Sequence, residues 1–199
     1  LEENPSAWLG EIEERRVTIW NSVPAYMRML LDSSTGSSTC LQRVLLSGDR
    51  IPVKLPAEIR SRFPESNVYS LGGPTETTVW DIWHPITPED EGCERIPYGR
   101  PLPGAAYHVM KPNLEQCPAW TPGELCIEGV GLARGYLNDE SRTAEKFVIH
   151  SASGRRLYRS GDRGRLMPNG EVDILGRIDR QVKIHGHRIE LAEIEAALS

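Results

Sequence analysis

The 199-residue sequence contains no run of about 18 apolar residues, so no part of it reads as a membrane-spanning helix. Its opening, Leu1 to Gly10, is acidic and polar and lacks the basic stretch and apolar core of a secretory signal. A soluble, cytoplasmic unit is expected. Excess positive charge is also missing: 23 Lys and Arg stand against 28 Asp and Glu, a net charge of -5. That balance opposes the counterion release on which nucleic-acid binding depends, and it argues against polyanion partners. The four cysteines, Cys40, Cys93, Cys117 and Cys126, show no C-x-x-C spacing, and a chain of this size does not need disulfides to fold. They read as reduced thiols. No internal repeat occurs, and no low-complexity tract beyond the Ser/Thr/Gly stretch from Ser33 to Thr39. An initiator Met is absent and the chain stops at Ser199 inside a helical pattern, which is expected of a piece of a longer protein.

What is present is a globular mixture, 39% apolar and 26% charged. Ile12, Val17, Ile19 and Val23 give way to Tyr26, Met27, Leu30 and Leu31 at helical spacing, a short strand feeding a helix. Leu41 to Leu46 is a continuous apolar strand ending at Ser47-Gly48-Asp49, and Leu55 to Phe63 is the helix after it. Asn67 to Leu71 supplies another strand, ending in Gly72-Gly73-Pro74-Thr75-Glu76. In open parallel sheets, ligand sites collect at such carboxyl ends. After about Pro85 the texture changes to β-like runs, Tyr107 to Met110, Gly123 to Glu128 and Glu171 to Leu175, split by Gly and Pro turns. A smaller, mostly antiparallel region is expected there, followed by an amphipathic helix from Glu190 to Leu198.

Three strings carry candidate chemistry. Gly72 to Thr78 pairs two glycines, which permit close backbone approach, with three hydroxyls and one carboxylate able to hold phosphate oxygens and Mg²⁺. It reads equally as a tight turn with Thr75 as helix N-cap and Glu76 in the first turn. Tyr158-Arg159-Ser160-Gly161-Asp162 puts a carboxylate on a turn, where it would bind a ribose diol or make a plain Asx turn. Gly176 to Gly186 alternates charged and apolar residues, either as a half-exposed hairpin or as an edge facing phosphate.

These strings, with Gly123-Glu124-Leu125 and Gly131 to Leu137 between them and Arg188-Ile189-Glu190-Leu191 after, follow one another in an order that resembles the signatures of adenylate-forming enzymes. The form is most similar to nonribosomal peptide synthetase adenylation domains, from Val17 onward. The resemblance implies an α/β, acyl-CoA synthetase/luciferase-like fold. Residues 1–178 would be the later part of the large subdomain, with βα units to about 85 and a β-rich region after, and 179–199 the hinge and the start of the small lid. It also implies activation of an amino acid with ATP and Mg²⁺ to an aminoacyl adenylate, and transfer to the phosphopantetheine thiol of a peptidyl carrier domain. Condensation or cyclisation domains would be neighbours. By the same resemblance Glu76 would ligate Mg²⁺, with Thr75 near the α-phosphate and Gly48, Gly72 and Gly73 along the nucleotide. Asp162 would hold the ribose hydroxyls, and Arg177 would reach ribose and phosphate. Asp179 would be the hinge, and Lys183 would lie on the lid face presented during thiolation. The family's phosphate-gripping loop, its ammonium-binding aspartate and its catalytic lid lysine would fall outside Leu1 to Ser199, so residues 1–199 alone are expected to be inactive.

Two departures from the family stand out. An aromatic residue that usually precedes Gly73 and stacks on adenine is replaced by Gly72, and the usual arginine before Gly186 is His185. His185 and His187 form an H-x-H pair, but no third metal ligand is evident nearby, and a hairpin variant explains both. Aligned with the family's pocket positions, Asn21, Leu45, Ser47, Leu71, Val79 and Trp80 carry no formal charge, two small polar groups and a bulky indole. The pattern resembles that of cysteine-activating domains, with serine as the second candidate. A stand-alone acyl or aryl-acid ligase and an inactive scaffold domain are the competing readings.

Overall fold

The computed structural model describes residues 4–33, 36–179, 182–184, 187–189 and 198. The chain divides into two compact units, Leu1–Leu71 with His84–Ile96 and Lys183–Arg188, and Gly72–Trp83 with Pro97–Val182 and Ile189–Ser199.

The first unit opens on helix α1 (Pro5–Glu14), followed by β1 (Ile19–Ser22), α2 (Pro24–Asp32), β2 (Arg43–Leu46), α3 (Leu55–Arg62) and β3 (Asn67–Gly72). Each helix has proline in its first turn, where the missing N–H costs no hydrogen bond. The polar opening concealed α1, because only Ile12 on that helix is buried. The apolar run at Leu41 becomes a strand only from Arg43; Leu41 itself is fully buried ahead of it. β1, β2 and β3 run parallel, with Asn21 beside Leu45 and Leu45 beside Tyr69. The sheet continues to β4 (Ile82–Ile86), of which His84 to Ile86 belong to this unit. Met27 and Leu30 of α2, Leu55 and Ile59 of α3, and Val44, Leu46 and Val68 of the strands form the core with Ile12, Leu41 and Phe63. Every strand crossover therefore returns a helix with an apolar face onto the sheet, as parallel pairing requires.

In the second unit, β5 (Arg100–Pro101) pairs antiparallel with Ile82 and Trp83. It leads into β6 (Ala105–Met110), β7 (Gly123–Gly129), helix α4 (Glu140–Lys146), β8 (Phe147–Ile149), β9 (Arg156–Leu166) and β10 (Val172–Arg177). The order is β10-β9-β7-β6, all antiparallel, with β8 on β9. Strand alternation sends Leu125 and Ile127 into one cluster with Tyr107, Val109, Phe147, Tyr158 and Val172, and Cys126 into another with Met110 and Leu157. The antiparallel β-rich region expected after Pro85 is this sheet. Burial pushes the Cys126 thiol up to about 12, which makes it inert. No disulfide joins the four cysteines.

β11 (Val182–Ile184) and β12 (His187–Ile189) pair as a two-stranded sheet. His185, most of the expected helix from Glu190 to Leu198, and part of the Ser33 to Thr39 loop lie outside the described residues, as does the side chain of Lys183. No helix among the described residues is long and apolar enough to cross a membrane.

Candidate functional site

The residues expected to handle nucleotide fall in the second unit, apart from Gly48 and Lys183. Gly72 ends β3, and the chain then turns through Gly73 at φ 145°, Pro74, a 3-10 turn at Thr75–Thr77, and two left-handed residues, Thr78 and Val79. The Asp81 N–H donates to the Gly72 carbonyl at 2.9 Å and closes the loop. Pro74, not Thr75, is the N-cap of that turn, so the Thr75 hydroxyl is not taken up in capping, and Thr75 stands exposed. The single turn reverses within four residues because left-handed Thr78 cannot continue a helix.

Glu76 is held differently. It is 6% exposed, and its Oε1 accepts from the Tyr136 hydroxyl at 2.6 Å. Its carbonyl accepts from the Ala133 N–H at 2.8 Å, while the Thr78 hydroxyl donates to the Gly131 carbonyl at 2.7 Å. The Gly131 to Tyr136 segment, flagged in the sequence as a motif without a role, is thus the backing of the glycine-rich loop. Gly131 fits there because a Cβ would meet the Thr77 carbonyl oxygen at 2.6 Å. Burial raises the Tyr136 phenol above its ordinary range, and the bond to Glu76 adds to the rise. Tyr158, fully buried beside the same carboxylate, is raised by the same causes.

Asp162 does not lie on a turn. It sits inside the long strand β9, opposite Arg177 of β10, with Gly161 at φ 74° just before it. Its backbone N–H donates to the Ser160 hydroxyl at 2.9 Å, and that hydroxyl donates to the Leu125 carbonyl at 2.7 Å. Arg177 Nη1 donates to Asp162 Oδ1 and to the Ser160 carbonyl, both at 3.0 Å. Its Nε donates to Asp179 Oδ1 at 2.9 Å, and Nη2 pairs with Asp179 Oδ2. Burial works against the guanidinium charge, but the two carboxylates outweigh it and hold Arg177 above its ordinary range. The structure therefore brings Asp162, Arg177 and Asp179 together as a clamp with one cation between two anions. Beside it, Glu124 Oε2 accepts from Arg159 Nε at 3.0 Å and Nη2 at 2.7 Å, which fixes the strand's lateral position.

A second group under the loop was not anticipated from the sequence. The Tyr107 hydroxyl donates to Asp81 Oδ1 at 2.6 Å, and Tyr98 meets Tyr107 edge-on at 6.0 Å. Burial raises the Asp81 carboxyl above its ordinary range, against hydrogen bonds from Thr77 and Tyr107 that lower it. Gly73 is excluded from carrying a side chain by this group, since a Cβ would lie 2.8 Å from the Val79 carbonyl and 2.9 Å from Asp81 Oδ1.

The residues expected to line an amino-acid pocket divide between the units. Asn21 and Leu45 are neighbours across β1 and β2, and Ser47 and Gly48 follow β2, where the Ser47 N–H donates to the Ser22 carbonyl at 3.2 Å. Leu71 is the penultimate residue of β3. Asn21, Leu45, Ser47, Gly48 and Leu71 all lie at or just beyond carboxyl ends of parallel strands. In the second unit, Val79 is 59% exposed at φ 62°, and Trp80 is partly buried.

A family model described as AMP-binding enzyme matches residues 1–137. Pyochelin synthetase PchF of Pseudomonas aeruginosa is 48% identical over 202 residues, a match to 98% of this chain and 11% of that protein. A crystal structure of the nonribosomal peptide synthetase FmoA3 in its alpha-methyl-L-serine-AMP bound form superposes with a TM-score of 0.84 at 40% identity, covering 90% of this chain and 21% of that one. Holo-PA1221, a nonribosomal peptide synthetase protein containing adenylation and PCP domains, gives 0.88 at 30% identity, covering 98% and 34%. The chain spans about a tenth of the curated relative, and 21% and 34% of these two solved chains. Sequence and fold agree that the chain belongs to the AMP-binding enzyme family, with the adenylate-forming fold and with nonribosomal peptide synthetase adenylation domains as its homologues.

Proposed function

We propose that this chain carries the nucleotide site and part of the amino-acid site of an enzyme that activates an amino acid with ATP and passes it to a carrier-domain thiol. In the first half-reaction the substrate carboxylate attacks the α-phosphorus and pyrophosphate leaves. In the second, a phosphopantetheine thiolate attacks the acyl carbon and AMP leaves. The observation that carries the reading is the pairing, within one unit, of the closed Gly72 to Asp81 loop with the Asp162–Arg177–Asp179 clamp. Adenylyl transfer depends on positioning and on stabilising developing charge, and both elements are polar and held by internal hydrogen bonds.

The oxygen donors of Glu76 and of Thr75, Thr77 and Thr78 suit a hard cation such as Mg²⁺. Glu76 would hold the ion, which would neutralise phosphate charge during transfer. Thr75 would donate to the α-phosphate, Asp162 would accept from the ribose hydroxyls, and Arg177 would reach ribose and phosphate. Asp179, bound to Arg177, would be the hinge between the two half-reactions, and Lys183 would act on the thiolation face of the lid.

Cysteine is the substrate we favour. The support is the chemistry of Asn21, Leu45, Ser47, Leu71, Val79 and Trp80, which offer no charge to pair with an ionic side chain and include one indole large enough to exclude bulky ones. The test is ATP–pyrophosphate exchange by the full-length protein across all proteinogenic amino acids, with cysteine and serine at matched concentrations. Preference for cysteine supports the whole reading, and preference for serine or another amino acid discards the substrate alone. Exchange with aryl or acyl acids and coenzyme A points to a stand-alone ligase. No exchange with any acid points to a scaffold.

A further inference from the structure

Gly72 is buried at the end of β3, and the place where its side chain would begin is taken. A Cβ built there would overlap Cε2, Cζ and the hydroxyl of Tyr98. The ring of a residue 26 positions later in the chain thus crosses the Gly72 backbone, and the Gly73 N–H lies against its phenol oxygen. Tyr107, edge-on to Tyr98 and bonded to Asp81, buttresses the ring from the core side, while Tyr98 itself stays only partly buried. Burial and then the carboxylates of Asp81 and Asp162 raise the Tyr98 phenol, so this ring stands within electrostatic reach of both the loop and the clamp.

We infer that Tyr98 supplies the aromatic face on which the purine base of the nucleotide stacks, taking in space the position that Gly72 leaves empty in sequence. The inference rests on the adenylation reading and deepens it. A base attached to a ribose at Asp162, with its phosphates at the Gly73 to Thr75 backbone, has to lie beside the segment joining those two points; the Tyr98 ring touches the Gly72–Gly73 backbone and stands within electrostatic reach of Asp162. Stacking needs only a π-face, so the backbone that presents the ring is immaterial. Glycine at position 72 and tyrosine at position 98 are accordingly one device: either residue in the absence of the other leaves a clash or a gap.

The test measures direct binding of ATP and of inorganic tripolyphosphate, which lacks a base, to the full-length protein. Three forms are compared: wild type, Tyr98→Leu, and the exchange variant Gly72→Tyr with Tyr98→Ile. Tyr98→Leu should lose roughly tenfold or more in ATP affinity while tripolyphosphate binding stays within about twofold. The exchange variant should recover ATP affinity to within about threefold of wild type. Unchanged ATP affinity in Tyr98→Leu overturns the inference, as does an equal loss for both probes, which would mark Tyr98 as a packing residue. If Tyr98→Leu fails to fold, the exchange variant decides. ATP affinity regained there supports the assignment, and tripolyphosphate bound without ATP preference overturns it. Wild-type protein that binds no ATP sinks the adenylation reading and this inference with it, whereas ATP-binding wild type with an unaffected Tyr98→Leu sinks this inference alone.

Discussion

The hydroxyl of Tyr136 donates to Glu76 Oε1 at 2.6 Å across sixty residues of sequence. A hydrogen bond from a phenol to a mostly buried carboxylate fixes which way that carboxylate faces, and it contributes about 1.5–3 kcal/mol where the acceptor is charged. Tyr136→Phe should therefore lower the unfolding free energy of the full-length protein by about that amount. If Glu76 holds magnesium, the same variant should raise the Mg²⁺ concentration that half-saturates pyrophosphate exchange. Denaturant titration and a magnesium titration of the exchange rate check the two effects separately.

Gly161, at φ 74°, sits against the clamp: a Cβ would come within 2.8 Å of both Arg177 Nη2 and Asp179 Oδ2. Gly161→Ala combines a left-handed backbone with displacement of the guanidinium, and should destabilise by about 1–3 kcal/mol. Because the displaced group pairs with Asp162, ATP affinity should fall along with stability. Thermal melts with and without ATP measure this, and the ATP-induced rise in Tm should shrink in the variant.

Asp81 yields a pH prediction. Its carboxyl is raised by burial, so the folded protein binds that proton more tightly than the unfolded chain does. Stability from this group is fully present below the ordinary carboxylate pKa and is lost as pH rises through the raised folded value. Asp81→Asn keeps an acceptor for the Tyr107 hydroxyl but does not titrate. The variant should gain stability relative to wild type as pH increases through the window just above the ordinary carboxylate range. Denaturant midpoints of both forms across that window, compared as a difference so that other carboxylates cancel, provide the measurement.

Val79 is a β-branched residue at φ 62°, next to Thr78 at φ 72°. A left-handed conformation costs a residue with a branched Cβ about 1–2 kcal/mol, and such strain persists where function requires it. Val79→Gly should raise stability by about 1 kcal/mol and weaken discrimination between cysteine and larger amino acids in pyrophosphate exchange. A stabilised variant with unchanged selectivity would remove Val79 from the amino-acid site.

The sequence by itself determined the alternation of apolar runs with glycine-rich loops after Leu46 and Leu71, and hence the parallel strands whose ends carry those loops. It also determined the change to antiparallel texture beyond Pro85, because short runs broken by Gly and Pro cannot span a crossover helix. Ordered motifs were enough to point to the family, since such strings are local and survive without coordinates. The helix α1 was hidden because one buried residue makes almost no periodic signal. Asp162 looked like a turn residue because a glycine precedes it, and only pairing with β10 shows that the glycine kinks a continuous strand.

What the tertiary structure alone decided is who stands next to whom. Tyr136 beneath Glu76, Tyr107 on Asp81, Arg177 between Asp162 and Asp179, and the Tyr98 ring across Gly72 join residues 2 to 60 positions apart. A side-chain hydrogen bond or a ring contact leaves no period in a sequence, because its geometry is set by strand register and by the packing of a core that forms only when distant segments meet.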